Sequence, residues 1–461
     1  MNVHSVNRSS FILIGLMAIS TAALVFIPHP AILFGLPVAV LAGWFALRSP
    51  FYVCLGFIIF SFFRIHEAFP ALTPLRIPQL LAIGSFAVIG WHLFVSKKMN
   101  VYWAPNLTLF LAFFALVTVG ALFATDRSSA IGAITGSYSK IMIMVFAIAW
   151  LTRNTKDFEK AGMFFAIAGA LIGCVAIFNK LNGIGLVEGT RVTIGRNIGS
   201  MIGDPNDLAL VLTFPLSFAL SFVVTPGYKS YQKLFFAIIY LCIAWAIIST
   251  QSRGGLLGMV SVTGIAAWRL STNKVAVIAF GIVALIVLLA VAGISERSSG
   301  GAAEQGVDES AMGRIYAWEA AVKMALSHPF SGVGINNFYA NYYFYSSHWD
   351  GKNHAVHSTW FQVLAETGFL GFCVFVWLVK RTFKSILGSL NKLSKKRDLY
   401  SPAMLMMAQA LFSGLVGFCI SGTFLTQGFI WPFYILFALS VALERYLQHH
   451  SSSDLSILVT K

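Results

Sequence analysis

The residues of this chain that could do chemistry are few, and they gather near the ends of apolar runs. One is a histidine in His354-Ala355-Val356-His357-Ser358-Thr359-Trp360-Phe361-Gln362. Imidazole titrates near neutrality, so an uncharged His357 could take a proton from a hydroxyl. A loop histidine bonded to backbone fits the same residues, and the sequence leaves both readings open. Thr359 with Gln362 three residues later fits a capping box, which starts the next helix at Thr359. The positive end of that helix dipole would disfavour imidazolium at His357. Arginines supply the complementary chemistry. Arg253 stands in Thr250-Gln251-Ser252-Arg253-Gly254-Gly255, Arg314 in Met312-Gly313-Arg314-Ile315, and Arg191 and Arg196 precede Gly203-Asp204-Pro205-Asn206-Asp207. A guanidinium grips phosphate oxygens through paired N–H donors, and such donors stabilise charge building on a diphosphate leaving group. A lipid-linked phosphate substrate, which brings its own activation and needs no ATP, suits that set. The glycines beside Arg253 would let a bulky head group approach the backbone.

Two further features carry less. His348, His354 and His357 fall in one short segment, but a zinc site needs three or four ligands in fixed geometry and no helical spacing here provides it. Neither a metal nor another cofactor is expected. Glu366 lies seven residues into the expected helix, about 10 Å deep at 1.5 Å per residue, and about 900° of turn from His357. A dyad of the two is excluded by direction, and an arginine is the expected partner for a carboxylate so placed.

The elements that must position these residues are membrane helices. The chain has 461 residues, of which 57% are hydrophobic and only 11% charged, with mean hydropathy +0.78. Soluble proteins carry about 25% charged residues, so a soluble, disordered or collagen-like chain is excluded. Spans of about 20 apolar residues read near 11–27, 30–47, 51–63, 78–96, 105–124, 137–151, 161–178, 206–224, 232–249, 254–270, 275–293, 359–379, 402–423 and 428–446. The second and third are short and proline-flanked, so the fold class is all-α and polytopic with 12 to 14 transmembrane helices. The first is read as an uncleaved anchor. The organisation is N-terminal helices (1–178), central helices (179–293) with an outer loop at 179–205, a large outer loop (294–358), C-terminal helices (359–446) and a tail (447–461) ending in a disordered, Ser-rich stretch.

With the N-terminus inside, the inner loops hold 20 of the 32 Lys and Arg but 5 of the 17 Asp and Glu. The whole +15 of net charge then lies inside, where it sets orientation, and nucleic acid is not an expected partner. Cys54, Cys174, Cys242, Cys373 and Cys419 all lie in apolar spans without paired spacing and read as small buried hydrophobes. Within the large outer loop, Ser298 to Ser310 reads as flexible, and Met312 to Ala321 as an amphipathic helix lying on the membrane surface. Tyr339, Tyr342, Tyr343 and Tyr345 fit either a membrane belt or a sugar-stacking platform. Gly332-Val333-Gly334 lacks the strand and third glycine of a nucleotide fingerprint. Asp204 reads as an N-cap with Pro205 at the first helical position.

At these positions the chain resembles the O-antigen ligase and O-antigen polymerase superfamily of bacterial envelope glycosyltransferases. The likeness rests on His357-Ser358, nine residues, then Gly368-Phe369-Leu370-Gly371; on Gly313-Arg314, Trp318, His328-Pro329, Gly332-x-Gly334 and Asn337-Phe338 upstream; and on Gln251-Ser252-Arg253-Gly254-Gly255. It covers roughly residues 200 to 380. The resemblance implies a GT-C-like helical fold in the bacterial inner membrane, multi-pass, with both termini cytoplasmic and a periplasmic active site. It also implies metal-independent, inverting transfer of a glycan from an undecaprenyl-diphosphate-linked donor. His357 would be the general base, with Arg253 catalytic beside it and Arg314 on the diphosphate or acceptor phosphates; Arg191 and Arg196 are added as substrate-binding by position and charge. The leading expectation is an O-antigen ligase with lipid A-core as acceptor. A repeat-unit polymerase, a protein O-oligosaccharyltransferase and, more remotely, a lipid-linked glycan transporter are the alternatives.

Overall fold

In a bilayer the backbone must satisfy its own hydrogen bonds, and an apolar chain does so as helices. The computed structural model describes residues 30–97, 99, 101–291 and 309–459, with positions 15 and 22. It is nearly all helical and, among the described residues, has no strand. Among the described residues, eight helices are long and apolar enough to cross a membrane, or nine if one bent pair counts as a span. That pair, Val38–Arg48 and Pro50–Phe62, turns by 107° at the expected proline-flanked break. Helices also occupy the expected spans at Arg253–Leu270, Lys274–Val291 and Trp431–Val459. The expected span at 11–27 and most of the expected flexible stretch 298–310 lie outside the described residues.

The chain divides into two compact units, one formed by 1–57 with 76–100 and the other by 58–75 with 101–461. In the first, His92 bonds through Nε2 to the Leu47 carbonyl at 2.8 Å and through Nδ1 to Ser96 Oγ at 2.7 Å. The second holds every candidate site residue. At its centre is the helix Pro205–Val224, buried on nearly every side and packed on Thr155–Leu181, Ser230–Thr250, Arg253–Leu270 and Pro402–Ser421. Between membrane helices the driving force is close fit, which small residues permit. A Cβ on Gly255 would stand 2.4 Å from the Ala209 Cβ, and one on Gly254 would meet Leu425 and Phe424. These glycines therefore admit neighbouring protein, where the sequence suggested room for a head group.

Three further expectations are revised. The amphipathic helix of the large loop, Glu309–Ser327, buries its apolar face against protein, not on a membrane surface: Ala317, Ala320, Ala321 and Met324 form a core with Val333, Phe338, Tyr342, Val356 and Ala365. The helix starting at Thr359 runs on to Lys395, well past the expected end at 379, because its basic stretch keeps a helical stripe of buried residues from Thr382 to Leu393. At the chain end the helical backbone continues to Val459, since neither proline nor glycine follows Pro432 to stop it.

Candidate active site

The loop after Leu181 contains one isolated bridge, Val187 to Arg191, and two short 3-10 turns before Pro205. It folds over the C-terminal end of the helix Ser230–Thr250. Val192 N donates to the Ser249 carbonyl at 3.2 Å, and Arg191 Nε to the Thr250 carbonyl at 3.3 Å. A helix end leaves orphan carbonyls with negative partial charge, and a buried arginine satisfies both needs. Arg191 Nη2 also donates to Asn206 Oδ1 at 3.2 Å, while Glu188 stands 3.9 Å from Nη1. Burial, first, and then the charges of Arg314 and Arg253 push the Arg191 guanidinium below its ordinary range, against Glu188 and Asp204.

Arg253 is the first residue of its helix, directly after the cap Ser252, whose Oγ accepts from Gly255 N. Ser252 Oγ donates to Asn206 Oδ1 at 2.9 Å. A single amide oxygen thus ties Arg191 of that loop to the turn that carries Arg253. Sequence reasoning passed over Asn206; its position next to a proline-started helix was the only signal. Asp204 is the N-cap of that helix, accepting from Asn206 N at 2.7 Å and Asp207 N at 3.3 Å.

His357 is half-buried and has a left-handed backbone, φ 45°, an uncommon conformation for a side-chain-bearing residue. Trp318 Nε1 donates to the carbonyl of the preceding Val356 at 3.1 Å, and the Trp318 ring stacks on Phe361 with centroids 5.0 Å apart. Arg314 precedes Trp318 by one turn of the same helix, so the helix that anchors the segment before His357 also carries the arginine. Burial pushes the His357 imidazole below its usual range; the charge of Arg314 adds to this, Asp204 opposes it and His354 adds a smaller push. The direction is the one expected from the helix dipole, but its causes are burial and Arg314. The other loop histidines turn elsewhere: His348 lies over Tyr316, 4.0 Å between centroids, and His354 Nε2 meets Asp350 at 3.0 Å. Among the described residues no three His, Cys, Asp or Glu side chains converge to hold a metal.

The helix beginning at Thr359 is capped differently from the expected box. Thr359 Oγ1 donates to the Leu425 carbonyl at 2.9 Å and accepts from Gln427 N; Gln362 Oε1 accepts from Gly428 N. Both side chains hold the connection before Trp431. The same helix breaks its regular backbone at Gly368, φ 67° and ψ −172°. Here a Cβ would stand 2.5 Å from the Pro329 carbonyl oxygen, so only glycine admits the His328-Pro329 turn. The break lets Phe369 N donate to Pro329 O at 2.8 Å and Val333 N to Ala365 O at 2.9 Å. Glu366 finds no arginine. Its buried carboxylate faces the backbone amides of Asn336, Asn337 and Phe338, with Phe338 N at 3.2 Å from Oε1. The amides serve Oε1, while Oε2 is buried without a hydrogen-bond partner among the described residues, and no residue pattern marks such a turn of amides in advance.

The structure thus brings Arg191, Arg253, Arg314, His357 and Asp204 into one electrostatic neighbourhood. Arg196 stands apart: exposed, it donates from Nη1 to the Gly203 carbonyl at 3.3 Å. The tyrosines divide: Tyr342 is core, Tyr339 and Tyr343 are exposed, and the Tyr343 ring meets Trp349 edge-on with centroids 4.7 Å apart. No curated protein matches the chain significantly. Residues 238–376, which include Arg253, Arg314 and His357, match the family described as O-antigen ligase. The match covers under a third of the chain, and over that segment the chain is similar to the O-antigen ligase family within a helical membrane fold.

Proposed function

We propose that this protein is an O-antigen ligase, moving a preassembled glycan from undecaprenyl diphosphate to lipid A-core at the periplasmic face of the bacterial inner membrane. The observation that carries the reading is a half-buried imidazole held below its usual range beside Arg314, in one neighbourhood with Arg253 and Arg191. His357, uncharged at neutral pH, accepts the proton of the acceptor hydroxyl as that oxygen attacks the anomeric carbon. The bond from that carbon to the diphosphate oxygen breaks, and the leaving group departs with the electron pair. Attack from the side opposite the diphosphate inverts the anomeric centre. Arg253 and Arg314 meet the growing phosphate charge. Arg191 spends two of its donors on Thr250 and Asn206, so its part is mainly to add positive potential. Asp204 and Trp318 act through position, one by its charge and one by holding Val356.

The acceptor is tested by the glycolipid ladder of a deletion strain. Lipid-linked polymer accumulating beside unmodified core is expected. Core bearing a single repeat unit would instead make the protein a polymerase, and loss of mass from a glycoprotein with an unchanged ladder would make it a protein transferase.

A further inference from the structure

A second cationic region lies on the far half of the helix Thr359–Lys395, where the bases from Arg381 to Lys392 stand about 33 to 50 Å along the helix path from Thr359 at 1.5 Å per residue. Arg381, Lys384, Ser385, Gly388, Ser389 and Lys392 recur at three- and four-residue steps on one face of it. They wall a cavity of about 250 Å³ whose other side is Asn106, Glu444 and Leu447. At about 30 Å³ per water, that space holds about eight waters, enough for a phosphate or diphosphate group.

The lining is arranged for an anion. Arg381 is half-buried, and its Nε donates to Asn106 Oδ1 at 3.1 Å. That bond leaves the rest of the guanidinium fork fixed rather than floppy, and leaves Asn106 its amide N–H donors. Lys384 and Lys392 are exposed along the rim, and among the described residues none of the three bases is in an ion pair with a carboxylate. The one acid, Glu444, is occupied: Ser385 Oγ donates to Oε2 at 2.5 Å and Gln448 Nε2 to Oε1 at 3.5 Å. Gly388 forms open floor, with nothing within 4 Å of where its Cβ would be. Basic pockets between membrane helices at the water boundary suit phosphate head groups.

We propose that this cavity binds a phosphate-bearing anion, with Arg381 as the fixed fork and Lys384 and Lys392 as the closing charges. The ligand chemistry fits a lipid head group or a free phosphate, and the test separates them. Full-length protein is placed in nanodiscs of neutral phosphatidylcholine, with or without cardiolipin, and bound lipid is counted by native mass spectrometry. Inorganic pyrophosphate is titrated calorimetrically into the neutral discs. Wild type should retain cardiolipin if the source is lipid, or bind pyrophosphate if it is free anion. The variant R381Q/K384Q/K392Q should bind about tenfold more weakly or worse, through lost charge-assisted bonds. Gly388→Trp, which fills the cavity without touching a charge, should do the same while melting normally in neutral discs; it decides the matter if the triple variant does not fold. No binding of either probe, or binding equal in wild type and Gly388→Trp, would overturn the proposal.

Discussion

Cations stand near the start of the helix Thr359–Lys395, on other segments, and along its own far half, and the two regions use them differently. Beside its start, Arg191 is buried and bonded at two donors, and a half-buried histidine feels Arg314 and Asp204. Along its far half, Lys384 and Lys392 are exposed on an open cavity. Charges in water are screened and cost little to place. Charges drawn under protein alter one another's ionisation, which is what proton transfer needs. The contrast teaches that the chemical end of this molecule is marked by burial and mutual influence rather than by the number of bases.

The comparison can be broken most severely at His357. His357→Ala should lower glycan transfer by about 10²–10⁴-fold, the usual contribution of a positioned base, with membrane abundance unchanged on immunoblot. Near-normal turnover of the purified variant would remove the base assignment. Next in size is Arg253→Lys, expected to lose about 10²-fold because a point charge replaces a planar fork; steady-state kinetics with lipid-linked donor would measure it.

A subtler probe is the pH profile. Protonation silences a base, and burial and Arg314 hold the His357 imidazole below about 6.5. The acid limb of kcat/KM should therefore lie under that value. Arg314→Gln removes a like charge and should move the limb upward, whereas Asp204→Asn removes an opposing charge and should move it downward. Opposite or absent movements would separate these groups from the histidine. The smallest effect is expected at Arg196, exposed and bonded to Gly203: Arg196→Gln should stay within about threefold of wild-type transfer.

Some of this was legible in the residues. Pro205 after Asp204 started a helix as read, because proline at the first turn and a carboxylate cap act locally. The helix start at Thr359 was also legible, yet Thr359 and Gln362 serve the Leu425–Gly428 connection, a partner far away in sequence. Glu366 was assigned an arginine, whereas its buried carboxylate faces backbone amides, which carry no signature of their own. Arg191 and Arg196, five residues apart in one loop, looked equivalent until the loop was seen to fold over the end of Ser230–Thr250.

By itself the sequence determined the solvent of this protein, the helical character of its spans and a short roster of possible reacting groups. Those follow from composition, apolar run length and local capping, which act over a few residues. Tertiary structure alone decided which arginines share a neighbourhood with His357, that Asn206 joins two of the segments carrying them, and that Gly254 and Gly255 admit protein. Such outcomes depend on burial and on partners tens to hundreds of residues away, where the free energy of a charge is set by everything packed around it.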